Sequence, residues 1–193
     1  DALTANTEGS WNTGIGTGSL IANTTGTLNT SVGRWSLYTN VTGSSNTAIG
    51  NNTLKTSTVS NNTAVGYNAM KLTTTGADNT SVGSSALTAN TTGAENAAFG
   101  YQALFSNTTA NNNAAFGRLA LYGNTTGELN TAIGATALDA NTTGSSNTAV
   151  GAEALGKSTT ASNNTAVGRR ASFENTTGTN NTAIGYQAMY SVT

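Results

Sequence analysis

One glycine recurs every seventeen residues, and no other feature of this 193-residue chain limits its fold so severely. Gly16, Gly33, Gly50, Gly66, Gly83, Gly100, Gly117, Gly134, Gly151, Gly168 and Gly185 are spaced by 17, except for one step of 16 between Gly50 and Gly66. Periods of this size mark repeat architectures, whose units bury apolar surface only against their neighbours. Four residues before each anchor stands an asparagine: Asn12, Asn29, Asn46, Asn62, Asn79, Asn96, Asn113, Asn130, Asn147, Asn164 and Asn181. Immediately before each anchor stands a large apolar residue: Ile15, Val32, Ile49, Val65, Val82, Phe99, Phe116, Ile133, Val150, Val167 and Ile184. Four residues after it comes Leu or Met in ten of eleven copies; Ser172 is the exception, and Phe173 beside it is expected to take over that place. Ten residues after the anchor, a glycine usually closes an NTTG-type turn, as at Gly26, Gly93 and Gly144.

The unit therefore reads as a short strand, NTAIG, a second short apolar segment, xxALx, and a polar turn rich in Asn and Gly, which tolerate positive φ. Two extended pieces and two bends in seventeen residues predict an all-β fold, a parallel β-solenoid (β-roll) of about eleven 17-residue coils. Coils about 4.8 Å apart would build a rod about 50 Å long. A helical repeat needs about 34 residues per helix–turn–helix unit, and the Thr, Asn and Gly content disfavours helix. Residues 1–193 read as a single repeat domain. The opening DALTANTEGS is neither an initiator Met nor a signal peptide, so the chain is expected to be a piece of a longer one.

Which face of the strand lies inside is suggested by a paired substitution. Three residues before the anchor stands Thr in nine copies and Ala in two, Ala97 and Ala114, and those copies carry Phe99 and Phe116. Positions two apart share a face of a strand, and a larger ring beside a smaller neighbour is what close packing requires. The Thr and Ile/Val/Phe face is therefore expected inside, forming the core, with Phe99 stacked on Phe116. The opposite face then carries the eleven asparagines as a ladder of stacked amides, flanked by small Ala and Gly as a flat surface for a partner.

Composition excludes most chemistry. Without His or Cys, Ser–His–Asp, Cys–His and thiolate-metal sites cannot form. The acids fall singly in or near turns; Asp78, Glu95 and Glu128 share an edge, and no acidic position recurs as calcium repeats require. No catalytic residue, cofactor or metal site is expected, and no enzymatic activity. Charged residues are 8% of the chain and the net charge is −1, which gives no basic stripe for nucleic acid. No apolar run reaches the roughly 18 residues of a membrane-spanning helix. Asn–x–Ser/Thr sequons at Asn23, Asn90, Asn107, Asn124, Asn141 and Asn175 lie in predicted turns, where a glycan could be accepted. The place after the anchor holds Tyr67, Tyr101 and Tyr186, Arg34, Arg118 and Arg169, and elsewhere small or polar residues such as Asn, Ser or Ala; such a position is expected to be exposed, and spacer variability accounts for it better than a diffuse adhesive surface of Tyr and Arg.

The strings NTAVGYNAMK (62–71), NAAFGYQALF (96–105) and ENTTGTNNTAIGYQA (174–188) resemble a repeat of trimeric fibre proteins, namely phage and viral tail fibres and large bacterial surface proteins. They are also similar to the head repeats of trimeric autotransporter adhesins, although the unit here is a few residues longer. The resemblance covers about residues 10–190 and implies a homotrimer of parallel β-rolls. It further implies a structural or adhesive fibre segment, extracellular on a cell surface or virion. The expected partners are further copies of the chain, as a homotrimer or end-to-end filament, and a host-surface receptor or glycan. The alternative is an ice-binding β-solenoid using a flat Thr/Ala/Asn face; the inward placement expected for the regular Thr speaks against it.

Overall fold

The computed structural model describes residues 1–191. Eleven three-residue strands follow one another: β1 (Thr13–Ile15), β2 (Thr30–Val32), β3 (Thr47–Ile49), β4 (Thr63–Val65), β5 (Thr80–Val82), β6 (Ala97–Phe99), β7 (Ala114–Phe116), β8 (Thr131–Ile133), β9 (Thr148–Val150), β10 (Thr165–Val167) and β11 (Thr182–Ile184). They form one parallel sheet in sequence order, and each residue pairs with its equivalent one coil on, as Thr131 with Thr148 and Ile133 with Val150. The chain is a β-solenoid in which one coil is one repeat. Residues before Thr13 form a partial coil that hydrogen-bonds upward, Leu3 N–H to Ser19 O and Ala5 N–H to Ile21 O.

The sixteen-residue repeat keeps this register, with Thr47 opposite Thr63 and Ile49 opposite Val65. Its missing residue falls in the polar turn. Val59 O there accepts from the Asn46 amide, the role that a turn glycine plays in most other coils.

Only one of the two expected extended segments exists. The xxALx stretch is a turn: Leu20, Leu37, Leu54, Met70, Leu87, Leu104, Leu121, Leu138 and Leu155 all have φ between 46° and 53°. An extended chain would send neighbouring side chains to opposite faces, whereas this left-handed bend turns both Ala103 and Leu104, for example, into the interior. Each coil is thus a short strand opposed by a tight bend.

That geometry reverses the expected core. The middle residue of each strand points inward and is fully buried from Ala48 to Ala166, with Ser31 and Ser81 in two coils. The residues expected as core face outward: Ile15, Ile49, Phe116, Ile133 and Ile184 are 40–71% exposed, and Val32, Val65, Val82, Phe99, Val150 and Val167 are half-buried. The outward ranks carry the Thr as well. The physical reason is width. The Leu or Met of the bend crosses the narrow interior and meets the strand wall, which leaves room there for a methyl or hydroxymethyl group. The core is accordingly a column of Ala and Leu.

The Ala–Phe covariation did identify a shared face, but it is the outer one. Phe99 and Phe116 stack with ring centroids 4.8 Å apart and planes within 5°. Ser172 occupies the leucine place itself, buried. Phe173 does not replace it; it lies on the outside, stacked on Tyr190 at 5.5 Å.

Candidate functional site

The eleven anchor-linked asparagines are structural. From Asn29 to Asn181, each donates its backbone N–H to the Oδ1 of the ladder asparagine one coil before, at 2.9–3.1 Å. Side-chain amides also bond along the ladder, as Asn46 Nδ2 to Asn29 Oδ1 at 3.1 Å. Those from Asn29 to Asn164 are buried. Burial without partners would cost each amide about 1–3 kcal/mol; here the ladder supplies the partners.

A second ladder was hidden in the sequons. Asn23, Asn40, Asn90, Asn107, Asn124, Asn141 and Asn175 are at most 1% exposed. Asn107 Nδ2 donates to Asn90 Oδ1 at 3.1 Å, Asn124 to Asn107 at 3.0 Å and Asn141 to Asn124 at 2.8 Å. The turns are therefore no acceptor sites for a glycan: these amides are inside the coil. Where a coil carries both asparagines they converge on one carbonyl, so that Gly127 O accepts from Asn113 and Asn124, each at 2.9 Å. The signal was available, since these asparagines also repeat at seventeen, but the local NTT string reads as a turn. Where Ser57 and Ser158 interrupt the rank, Asn40 Oδ1 and Asn141 Oδ1 lose their partners.

The described residues enclose no pocket and hold no cluster of three metal-ligating side chains. Of the 14 large hydrophobic residues that stand exposed, 11 lie between five residues before and one residue after an anchor glycine; only Tyr38, Val41 and Leu72 lie elsewhere. They make one face: the outward Thr and Ile/Val/Phe ranks of the sheet, with Trp11, Leu28 and Leu129 along one rim and Tyr67, Tyr101 and Tyr186 along the other.

The cations are sorted about the same face. All seven cations lie one to six residues after an anchor: Arg34, Lys55, Lys71, Arg118, Lys157, Arg169 and Arg170. Of the acids, Asp78, Glu95 and Glu128 lie five or six residues before one, on the opposite rim, whereas Asp139, Glu153 and Glu174 lie two to six residues after one, on the cation side. Glu95 follows Asp78 by one coil in the same rank, and Asn111 Nδ2 donates to Glu128 Oε1 at 3.0 Å. Among the described residues, ion pairs occur only near the C-terminal end, where Lys157 meets Glu174 at 2.8 Å and Arg170 and Arg169 meet Glu153 at 2.6 and 3.9 Å.

One carboxyl stands out. Burial raises Asp139 above its ordinary value, against hydrogen bonds from the backbone at Asp139 and Ala140, and the Glu153 charge adds to the rise. A raised carboxyl pKa means the folded state binds its proton more tightly than the unfolded one. Its contribution to stability therefore grows as pH falls through the folded value. Asp139→Asn should be at least as stable as the parent at pH 7, and the difference should shrink towards acid pH. Melting temperatures of both proteins across pH 7 to 4 check this.

Comparison with protein-family models, with curated proteins and with solved structures gives no match to the chain.

Proposed function

We propose that the chain is a non-enzymatic structural and adhesive fibre segment, a stalk or head module of a virion or cell surface, whose copies pack as a homotrimer through the outward Thr/Ile/Val/Phe face. The observation that carries this is the confinement of 11 of 14 exposed large hydrophobics to that face and its rims. Soluble monomers rarely expose contiguous apolar patches of such extent, and those that do use them for association. The rims favour parallel packing. About any symmetry axis parallel to the rod, the Tyr/Arg rim of one copy meets the Leu/acid rim of the next, so Arg118 comes level with the stretch between Glu95 and Glu128. Antiparallel face-to-face packing would set cation against cation.

The test is the mass in solution by light scattering after size exclusion. About three times the 19.3 kDa of the chain is expected. Val82→Lys with Ile133→Lys should yield a folded monomer, because both side chains point outward and neither touches the Ala–Leu core. A parent protein that is already monomeric would overturn the trimer.

A second reading is favoured by one observation. The regular Thr, at nine of eleven strand starts, faces outward on the parallel sheet. Hydroxyls in register at about 4.8 Å can order water, which revives ice binding. The face involved is Thr/Ile/Val, with the asparagines inside rather than on it. The stacked Phe99 and Phe116, with Ala97 and Ala114 in the Thr places beside them, interrupt its ranks, so this reading ranks second. An ice-growth assay on a monomeric preparation tests it.

A further inference from the structure

The cations of this rod are treated differently at its two ends. Near the C-terminus, Lys157 and Arg170 lie over the Phe173 ring, 5.2 and 5.6 Å from its centroid, and each is also paired with a carboxylate, Glu174 or Glu153. In the second to fourth coils the same parts recur without the acids. Arg34 Cζ lies 3.5 Å from the Trp35 ring centroid. Lys55 Nζ lies 4.7 Å from that centroid and 6.0 Å from the Tyr38 ring. Lys71 holds the same coil position as Lys55, one coil on. None of these three cations belongs to an ion pair.

Two further details mark the place as built. Gly18 fills the Trp35 rank one coil below, and a Cβ there would come within 2.7 Å of Trp35 and 3.3 Å of Tyr38. Glycine at that one position lets both rings settle against the rod. Arg34 and Lys55 are then gathered on a single indole, two like charges held by the negative face of one ring. Such an arrangement is unfavourable alone and is relieved by an anion. Arg34 stands on the Tyr/Arg rim of the proposed packing face, while Tyr38, Lys55 and Lys71 lie four positions further round the coil, to one side of it.

We infer that Arg34, Trp35, Tyr38, Lys55 and Lys71 form a binding site for an acidic polysaccharide strand, a chain of carboxylated pyranose rings. The inference rests on the adhesive reading above and names its ligand class. Three cations on consecutive coils make a line rather than a point, which suits a linear polyanion better than a free ion. Tyr38, 36% exposed, offers an aromatic face to the apolar side of one sugar ring, while the cations take the carboxylates. The four cation and ring contacts together distinguish a uronate chain from a neutral one.

The test uses the whole chain carrying Trp11→Phe, so that Trp35 alone reports by fluorescence. Oligogalacturonate is titrated in, with neutral dextran, a sulfated polysaccharide and inorganic sulfate as the other arms. Saturable quenching or enhancement by oligogalacturonate, and none by dextran or inorganic sulfate, is expected. Lys55→Gln with Lys71→Gln should weaken it about tenfold, and Tyr38→Ala should weaken it as well. Equal binding of the sulfated chain with indifference to Tyr38→Ala would reduce the patch to an ion exchanger and overturn the site. Absence of any response to oligogalacturonate would overturn it too. Light scattering on the Lys55→Gln/Lys71→Gln protein, expected to keep the parent mass, separates failure of this site from failure of the assembly.

Discussion

Gly100→Ala should cost the rod at least about 3 kcal/mol, counting about 1–3 kcal/mol for backbone strain and the rest for displaced neighbours. Gly100 has φ of 139°, where L side chains are rarely found, and a Cβ on it would sit 2.5 Å from Gly117 O and 2.7 Å from Gly117 C. Those atoms belong to the next coil, and relief requires the coils to part where Gly117 N–H bonds Phe99 O at 2.8 Å. The informative control is Gly144→Ala. An added Cβ there would come 2.1 Å from Ala161 O, apparently worse. Yet Ala110 and Ala161 occupy that same coil position naturally, and no positive φ is imposed on it. The backbone can settle around a methyl group at that position, and the lost chain entropy of glycine offsets part of the strain. Gly144→Ala should therefore change stability by less than about 1 kcal/mol. Urea midpoints of the two variants decide whether φ or local space rules the anchor.

The second large effect is expected at Asn113→Asp. The side chain is 1% exposed, and its Nδ2 faces three acceptors: Gly127 O at 2.9 Å, Asn111 O at 3.2 Å and Asn96 Oδ1 at 3.3 Å. A carboxylate would turn an oxygen toward all three. Only the Asn130 N–H, 3.0 Å from Oδ1, would still be satisfied. A buried charge without a partner costs about 3–5 kcal/mol, against about 1–3 kcal/mol for Asn113→Ala, which merely removes partners. The two variants also differ in pH dependence. Burial and neighbouring oxygens must raise the new carboxyl above the usual value, so the aspartate variant should regain stability as pH falls, when its O–H can donate. Asn113→Ala should show no such recovery. Midpoints at neutral and acid pH distinguish them.

Much of this architecture was legible because it is written eleven times. The anchor glycine, the strand beside it and the register of one coil on the next all follow from a fixed spacing of identical residues. What the spacing could not supply was direction. Alternation along Thr–Ala–Ile separates two faces of a strand without saying which is inside, and the habit of placing the larger apolar group inside fails here. Leu104 and its equivalents, bent inward at positive φ, fill the interior from the far wall, so Ala98 fits against them and Phe99 does not. Asn107 failed to reveal itself for a different reason. Its local string, NTT, carries a strong turn and sequon meaning that masks a periodic one. The cation–ring cluster at Trp35 draws on three coil positions, those of Arg34, of the indole and of Tyr38, and Lys55, at the Tyr38 position of the next coil, joins it only once the coils are stacked.

The two amide ladders and the backbone bonds between coils all run along the rod. A tension applied through the two chain ends would therefore load them one coil at a time, from the termini inward, rather than all together in shear. Each surrendered coil frees seventeen residues, about 50 Å of contour beyond its own thickness. A solenoid built in this way would behave as a stepwise extensible tether. It yields in equal increments and can rewind on the intact coils below, which serve as the template for each returning turn.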